Sequence, residues 1–576
     1  MKKKYFFFFI LSFVFFLSPM NSRAQVYKAS LGKDGAVQVV RVNDKNASSQ
    51  KTLINQLPGW PKKIAASPSF KNMRGAAIAD IDGDGVNEVL AASFHTLYAF
   101  KADGSILWTK TLTGTAIYPP TVGDMDLDGN LEIAQATGGS PASGRIYLMD
   151  NNGNNLSGWP LNFTNNWILC SPVMADVNGD DTLELIFNER VSPQGKLHIR
   201  KINSSSFSAN WPVLIDATPS VTPSVGDIDG DGSKEIILCS YNDVLAFDLS
   251  GTLKTGFPVL NPNTTFSYQS PLLVDLDSIG KLNIVGSTTG DIPEFYALNY
   301  DGTFHTGWPV PVPDANWTYC PPAIADLNHD GNYSIFFTRP TNDTILPMLF
   351  GFDKDASMLN NFPVSARGGD EGIVTIADVN NDGQYEIITG SNLCDGGNGF
   401  IHAFMMDGSG EATGFPLRPL GFSYMNGGDI ADVNNDGMLE LVSVSYEQNF
   451  LATDSTAINV YALNVPCNNS TVLFGTYKGS NMRDGLIKSG LSSSVQNHST
   501  HTNILHTFPN PSAGSFTLQL DESASIEIYS PQGSLIYAEK FESGKHDLKL
   551  NVAEGVYLLK ASNGKGSVNH MIVIQK

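Results

Sequence analysis

A nine-residue pattern of acids constrains this chain more than any other feature. Asp80-Ile81-Asp82-Gly83-Asp84-Gly85-Val86-Asn87-Glu88 returns about every fifty residues as far as residue 440. Two further copies keep all four acids: Asp124, Asp126, Asp128 and Glu132, then Asp227, Asp229, Asp231 and Glu235. In three more, Asn takes the middle place: Asp176, Asn178, Asp180, Glu184; Asp378, Asn380, Asp382, Glu386; and Asp432, Asn434, Asp436, Glu440. The sixth copy, Asp326, Asn328 and Asp330, has Ser334 where Glu belongs, and the fifth keeps Asp275 and Asp277. Oxygen donors at positions 1, 3 and 5, with Gly at position 6 for a sharp turn, suit a hard cation such as Ca2+. In an EF-hand the closing Glu stands at position 12 on a helix; here it stands at position 9 and opens a short β-branched run, as in Ile236-Ile237-Leu238 or Ile387-Ile388. Such runs are strands. Acidic turns without metal would explain one copy, but not a spacing kept in six of eight. The expected cofactor is therefore Ca2+, about six to seven ions, ligated by the Asp, Asn and Glu residues named for every copy but the fifth.

Two other markers share the period. Gly or Asn, then Trp or Phe, then Pro, occurs at Trp60, Trp159, Trp211, Phe257, Trp308, Phe362 and Phe415, and Trp108 fills the remaining slot without its proline. A mixed apolar run follows most loops, such as Leu97-Tyr98-Ala99-Phe100 or Val460-Tyr461-Ala462-Leu463. Each unit offers about four short antiparallel strands in roughly fifty residues. The fold class is all-β: a β-propeller of eight four-stranded blades, or seven if the eroded fifth copy is not a blade, over residues 59–485. The repeated Trp or Phe is expected to pack between neighbouring blades. The last blade needs an outer strand, which either Trp60 to Ile64 or Val472 to Tyr477 can supply.

Composition narrows the partners. The formal charge is −21, and 25 of the 57 acids sit in the repeated loops. Nucleic acid is excluded as a partner for such a surface. Residues 1–24 open on Lys2 to Lys4, run apolar from Tyr5 to Leu17 and end in the small residues Ser22 and Ala24, as a secretory signal peptide does. Its removal takes away four positive charges, leaving −25 and no transmembrane span in the mature chain. The five cysteines are odd in number and widely spaced, which argues against a disulfide framework. Residues 25–58 carry little pattern beyond a strand at Val37 to Val42. Residues 486–503 are Ser-rich and read as a linker. Residues 504–576 alternate apolar residues with turn signals, as a small C-terminal β-sandwich does.

Two resemblances follow from these motifs. The eight loops with their strands resemble the FG-GAP/VCBS repeats of integrin-α-like propellers, which implies calcium at the matching positions. Phe508-Pro509-Asn510-Pro511, the step Gly555-Val556-Tyr557 and the basic end at Lys576 resemble the C-terminal sorting domain of Bacteroidetes type IX secretion cargo. That likeness implies the type IX machinery as a partner, and a protein that is secreted or attached to the outer surface of the outer membrane.

No catalytic motif stands out: there is no GxSxG and no HExxH, and acids are too abundant to mark a glycosidase pair. The favoured reading is a monomeric binding or adhesion module for an extracellular glycan or protein, with the enzyme question open. The alternative is a polysaccharide-degrading enzyme resembling rhamnogalacturonan lyases, which would need a basic residue at the C5 proton. Arg74, Arg190 and Arg418 are the candidates for it.

Overall fold

A computed structural model describes residues 26–31, 36–42, 54–487 and 505–575, apart from 69, 139–142, 165, 191–193, 216–219, 262–263, 267, 314–317, 342–345, 367, 450–452, 469, 509–511, 521–522, 531–534 and 564–565. The leader and most of the expected linker lie outside the described residues. The chain divides into two compact units, residues 1–79, 87–126 and 132–495 in one and residues 80–86, 127–131 and 496–576 in the other.

Up to residue 487 every acidic loop joins the first strand of an antiparallel sheet to the second. The eight sheets, first to eighth, lead with Ala77–Ala79, Thr121–Gly123, Val173–Ala175, Ser224–Gly226, Leu272–Val274, Ala323–Ala325, Val374–Ala377 and Asp429–Ala431. The second sheet is typical: Thr121–Gly123 pairs with Glu132–Thr137, that strand with Ser143–Met149, and that with Leu161–Thr164. In the first sheet one long strand, Glu88–Phe100, serves twice, pairing Ala77–Ala79 through its start and Ile106–Ala116 through its end.

Second strands such as Glu132–Thr137 and Glu184–Glu189 are buried at every residue. A strand buried on both sides must be covered on both faces. Sheet therefore packs on sheet, and the sequence shows continuous apolar runs instead of alternation. One apolar cluster accordingly joins Val285 and Phe295 of the fifth sheet to Phe336 and Phe350 of the sixth and Ile376 and Ile387 of the seventh.

The repeated tryptophans stitch these interfaces. The indole N–H of Trp60 donates to Ala102 O, Trp108 to Asn151 O, Trp159 to Ile202 O, Trp211 to Leu249 O and Trp308 to Lys354 O, all at 2.7–2.9 Å. Each acceptor lies in or beside the turn between the third and fourth strands of the next sheet. The seven aromatic-proline bonds at these turns are cis.

The ends of the unit meet. Lys62–Ala65 pairs antiparallel with Ser455–Pro466, so the leading segment gives the eighth sheet its outer strand. The trailing candidate goes elsewhere: Val472–Phe474 joins the first strand of the seventh sheet. From there the chain runs along the leading strands in ring order. Ile430 N–H of the eighth sheet donates to Gly475 O, the Asn481 amide to Ile78 O of the first, and Val122 N–H of the second to Asn481 O. Met174 of the third, Val225 of the fourth and Leu273 of the fifth donate in turn to Met482, Asp484 and Gly485 carbonyls at 2.8–3.0 Å. Ile487, inside the expected linker, closes the series on Leu273 O. This belt occupies backbone groups that first strands would otherwise leave unpaired.

Val26–Leu31 pairs with Val37–Val42 on one side and with Leu393–Asp395 on the other. Its Ala29 and Leu31 are buried in a cluster with Tyr118, Tyr319, Tyr424 and Tyr477.

In the smaller unit, Leu505–Phe508, Ser515–Leu520 and Gly544–Lys549 form one sheet, and Leu535–Phe541, Ala524–Tyr529, Gly555–Asn563 and Gly566–Ile574 another. Phe516, Leu518, Ile526, Ile528, Leu559 and Ile572 share one core.

Candidate metal centres

The loops are built by their own acids. The position-1 aspartate accepts from the backbone at positions 4 and 6: Gly83 and Gly85 N–H reach Asp80 at 2.8 and 2.9 Å, and Gly230 and Gly232 reach Asp227 at 2.8 Å. Position 6 needs a left-handed backbone, as Gly85 at φ 89° and Gly232 at φ 90° show. The position-9 glutamate uses one oxygen to accept the N–H of position 2: Met125 to Glu132 at 2.7 Å, Val379 to Glu386 at 2.9 Å and Val433 to Glu440 at 2.8 Å. Its other oxygen accepts within the unit in the seventh and fourth copies, from the Asn380 amide at 3.1 Å and from Lys254 at 2.9 Å. Even the eroded copies keep the turn, with Gly280 N–H on Asp275 and Gly331 N–H on Asp326.

Carboxylate oxygens of Asp80, Asp82 and Glu88, of Asp124, Asp126 and Glu132, and of Asp227, Asp229 and Glu235 converge within 4.8 Å in each set. Three like charges at that range repel unless a cation or a proton sits among them. Burial pushes the carboxyls of Glu386 and Glu440 up to about 7 and about 8, and raises those of Glu184 and Glu235. The donor set fits a hard divalent cation: all-oxygen, mostly anionic, with the glutamate held in place before any ion arrives. In the Asn-bearing copies the amide nitrogen of Asn178, Asn380 or Asn434 lies at 2.9–3.0 Å from Asp180, Asp382 or Asp436, a partial positive charge among the acids.

The fourth loop holds a full charge. Lys254 Nζ lies 2.7 Å from Asp229 Oδ2, 2.9 Å from Glu235 Oε1 and 3.7 Å from Asp231 Oδ2. Burial pulls its pKa down, but the bonds to Asp229 and Glu235 outweigh it and leave the ammonium raised. Reading loops alone misses this residue. Its signal is its place three residues before Phe257, where the second and sixth sheets have Leu156 and Leu359.

The arginines proposed for lyase chemistry are engaged or confined. Arg74 is fully buried and donates to the carbonyls of Glu371, Gly372, Tyr268 and Tyr319. Arg418 donates to Gly399, Asp395 and Asn398 carbonyls and stacks on Phe400 at 4.1 Å. Arg190 shares a concavity of about 10 Å³ with Phe70, Tyr118, Trp167 and Tyr268, room for about one water. The strand histidines are bonded too, His198 to Glu189 at 2.6 Å and His402 to Glu411 at 2.8 Å. All five cysteines are unpaired.

Residues 124–187 match the family described as FG-GAP-like repeat, and residues 506–575 match the secretion system C-terminal sorting domain. The chain carries an FG-GAP-like repeat and a type IX secretion C-terminal sorting domain. The sorting domain marks it as a secreted or outer-surface protein. Among the described residues no helix is long and apolar enough to cross a membrane. No curated protein matches the chain.

Solved structures with which this chain overlaps include the Vibrio cholerae biofilm matrix protein Bap1, at 13% identity and TM-score 0.48 over 76% of this chain and 96% of that one. BamB from Moraxella catarrhalis overlaps at 13% identity and TM-score 0.42, over 71% and 100% of the two chains. The quinohemoprotein alcohol dehydrogenase of Comamonas testosteroni overlaps at 11% and 0.40, over 72% and 78%. At such identities and scores, nothing about what those proteins do carries over.

Proposed function

We propose that this is a secreted binding module: an eight-bladed, calcium-stabilised propeller that presents a glycan- or protein-binding surface and is exported by its C-terminal β-sandwich. Eight loop-bearing sheets, joined end to end by Lys62–Ala65 on Ser455–Pro466, support the blade number. The observation that carries binding over catalysis is the filled centre. Tyr477, Lys478 and Arg483 of the belt are at most 2% exposed, and Arg74 beside them spends its guanidinium on backbone carbonyls. A propeller enzyme that works at its axis needs a cavity there with free acid-base groups. Here the chain's own backbone and tyrosines take that place.

The loops contribute rigidity. Calcium, when bound, supplies charge neutralisation that ties the first strand of each blade to the second. Asp80, Asp82, Asp84 and Glu88 would hold it in the first loop, and the matching residues in the others. Incubating the calcium-loaded protein with a panel of pectic and other polysaccharides tests the reading. Saturable binding without new unsaturated ends is expected, and turnover of any of them refutes it in favour of a lyase.

A further inference from the structure

In the fourth loop a lysine already sits among the position-3, position-5 and position-9 carboxylates. Lys254 Nζ makes two contacts under 3 Å, to Asp229 Oδ2 and Glu235 Oε1, with Asp231 Oδ2 the next oxygen out at 3.7 Å. Those are three of the residues that the metal reading assigns to calcium. The lysine is positioned by backbone bonds, Lys254 N–H to Ala246 O at 2.9 Å and Phe257 N–H to Lys254 O at 3.1 Å. The same turn, Trp or Phe N–H to the residue three before it, recurs in other sheets with Leu57, Leu156, Ser208, His305, Leu359 and Ala412. In the fourth sheet the shared turn therefore delivers an ammonium to the loop, where the third has a serine, the fifth an imidazole 3.8 Å from Asp277, and the second, sixth, seventh and eighth apolar side chains.

We infer that Lys254 is the resident cation of the fourth loop, so that this blade is closed by an internal ion pair and binds no calcium. One +1 charge with two short hydrogen bonds replaces a divalent ion that would need those same oxygens. Calcium could enter only by expelling Lys254 from a pocket where its side chain is 19% exposed.

The neighbouring blades extend the consequence. The fifth loop has Ile279 and Asn283 where other copies have acids, and its Asp277 pairs with Lys354 at 2.9 Å. The sixth lacks the closing glutamate, with Ser334 in its place. The fourth to sixth sheets thus form an arc that needs no metal for closure, while the seventh, eighth, first, second and third keep complete ligand sets. Calcium removal loosens one side of the ring and leaves the other shut.

This inference rests on the calcium reading above, and the test separates the two. Bound calcium per chain is measured by equilibrium dialysis for the wild type, Lys254→Gln and Lys354→Gln. Lys254→Gln is expected to bind one more ion than the wild type, and Lys354→Gln no more. Its melting temperature should fall in chelator and recover in calcium. Equal stoichiometry in the wild type and Lys254→Gln overturns the inference while leaving calcium in place; a wild type that binds no calcium removes both.

Hydrogen exchange on the wild type gives a second readout that needs no variant. Chelation should speed exchange in Glu386–Thr389 and Met438–Tyr446 by about tenfold, the factor for sites held at ten times their dissociation constant. Glu235–Cys239 should change less than about twofold on the same scale. Equal loosening of Glu235–Cys239 overturns the inference.

Discussion

Trp211 offers the sharpest test of how the blades are joined. Its ring is 3% exposed, packs edge-on against Phe247 of the next sheet at 6.5 Å, and donates its indole N–H to Leu249 O at 2.9 Å. Trp211→Ala removes the whole ring and leaves a cavity between two sheets, a change that destabilises by about 3–5 kcal/mol. Trp211→Phe keeps most of the buried area and loses the hydrogen bond, for about 1–2 kcal/mol. With an unfolding entropy of about 2.1 cal/mol/K per residue over roughly 430 residues, 1 kcal/mol moves the melting temperature by about 1 °C. Calorimetry should thus show a drop of about 3–5 °C for Trp211→Ala and about 1–2 °C for Trp211→Phe on that scale. The chain contains its own comparison, since Phe257 holds the same slot without an N–H to give. If Trp211→Ala melts within 1 °C of the wild type, the tryptophans do not join the blades and the reasoning fails.

Chelation should lower the melting temperature by about 8 °C: five occupied loops at ten times their dissociation constants contribute about 1.4 kcal/mol each, and an unchanged melt in excess EDTA would speak against metal. Glu371, fully buried and accepting from Tyr424 O–H and Tyr319 N–H, has its carboxyl pushed up by burial to about 7, so the folded state keeps a proton that the unfolded chain gives up. The wild type should therefore lose up to about 3 kcal/mol as pH rises from about 4.5 to about 7, and Glu371→Gln should not; identical pH slopes in urea unfolding would sink this. Arg483 is buried, donates to Thr476 Oγ1, Tyr477 O and Ala76 O at 2.8 Å, and faces Asp429. Arg483→Met should cost more than about 3 kcal/mol in urea unfolding and open the belt to limited proteolysis, and a protease-resistant variant of wild-type stability would contradict the belt's role.

The larger part of the architecture is readable from local pattern. Asp80 to Glu88 dictates a turn because its acids bond backbone groups within the same nine residues, and Trp60-Pro61 or Phe257-Pro258 marks the end of a unit because the turn chemistry is local as well. What repeats in space repeats in the chain, so period, strand order and the placement of the loop acids were visible without coordinates.

Elements that occur once leave no such trace. The belt from Thr471 to Ile487 bonds to seven different sheets, and the sequence shows there a polar stretch, Tyr477-Lys478-Gly479-Ser480-Asn481, that no periodicity distinguishes from a loop. Trp60 to Ile64 and Val472 to Tyr477 both offered themselves to close the ring, with the leading segment favoured, and only pairing across some four hundred residues chose it. Lys254 looks like any surface lysine until Phe257 and its turn aim it at Asp229. The sequence alone determined the repeated unit, because a turn's energetics are contained within it; tertiary structure decided closure, the filled centre and which loop already has its cation, because those depend on charges and backbone groups that meet only once the ring is formed.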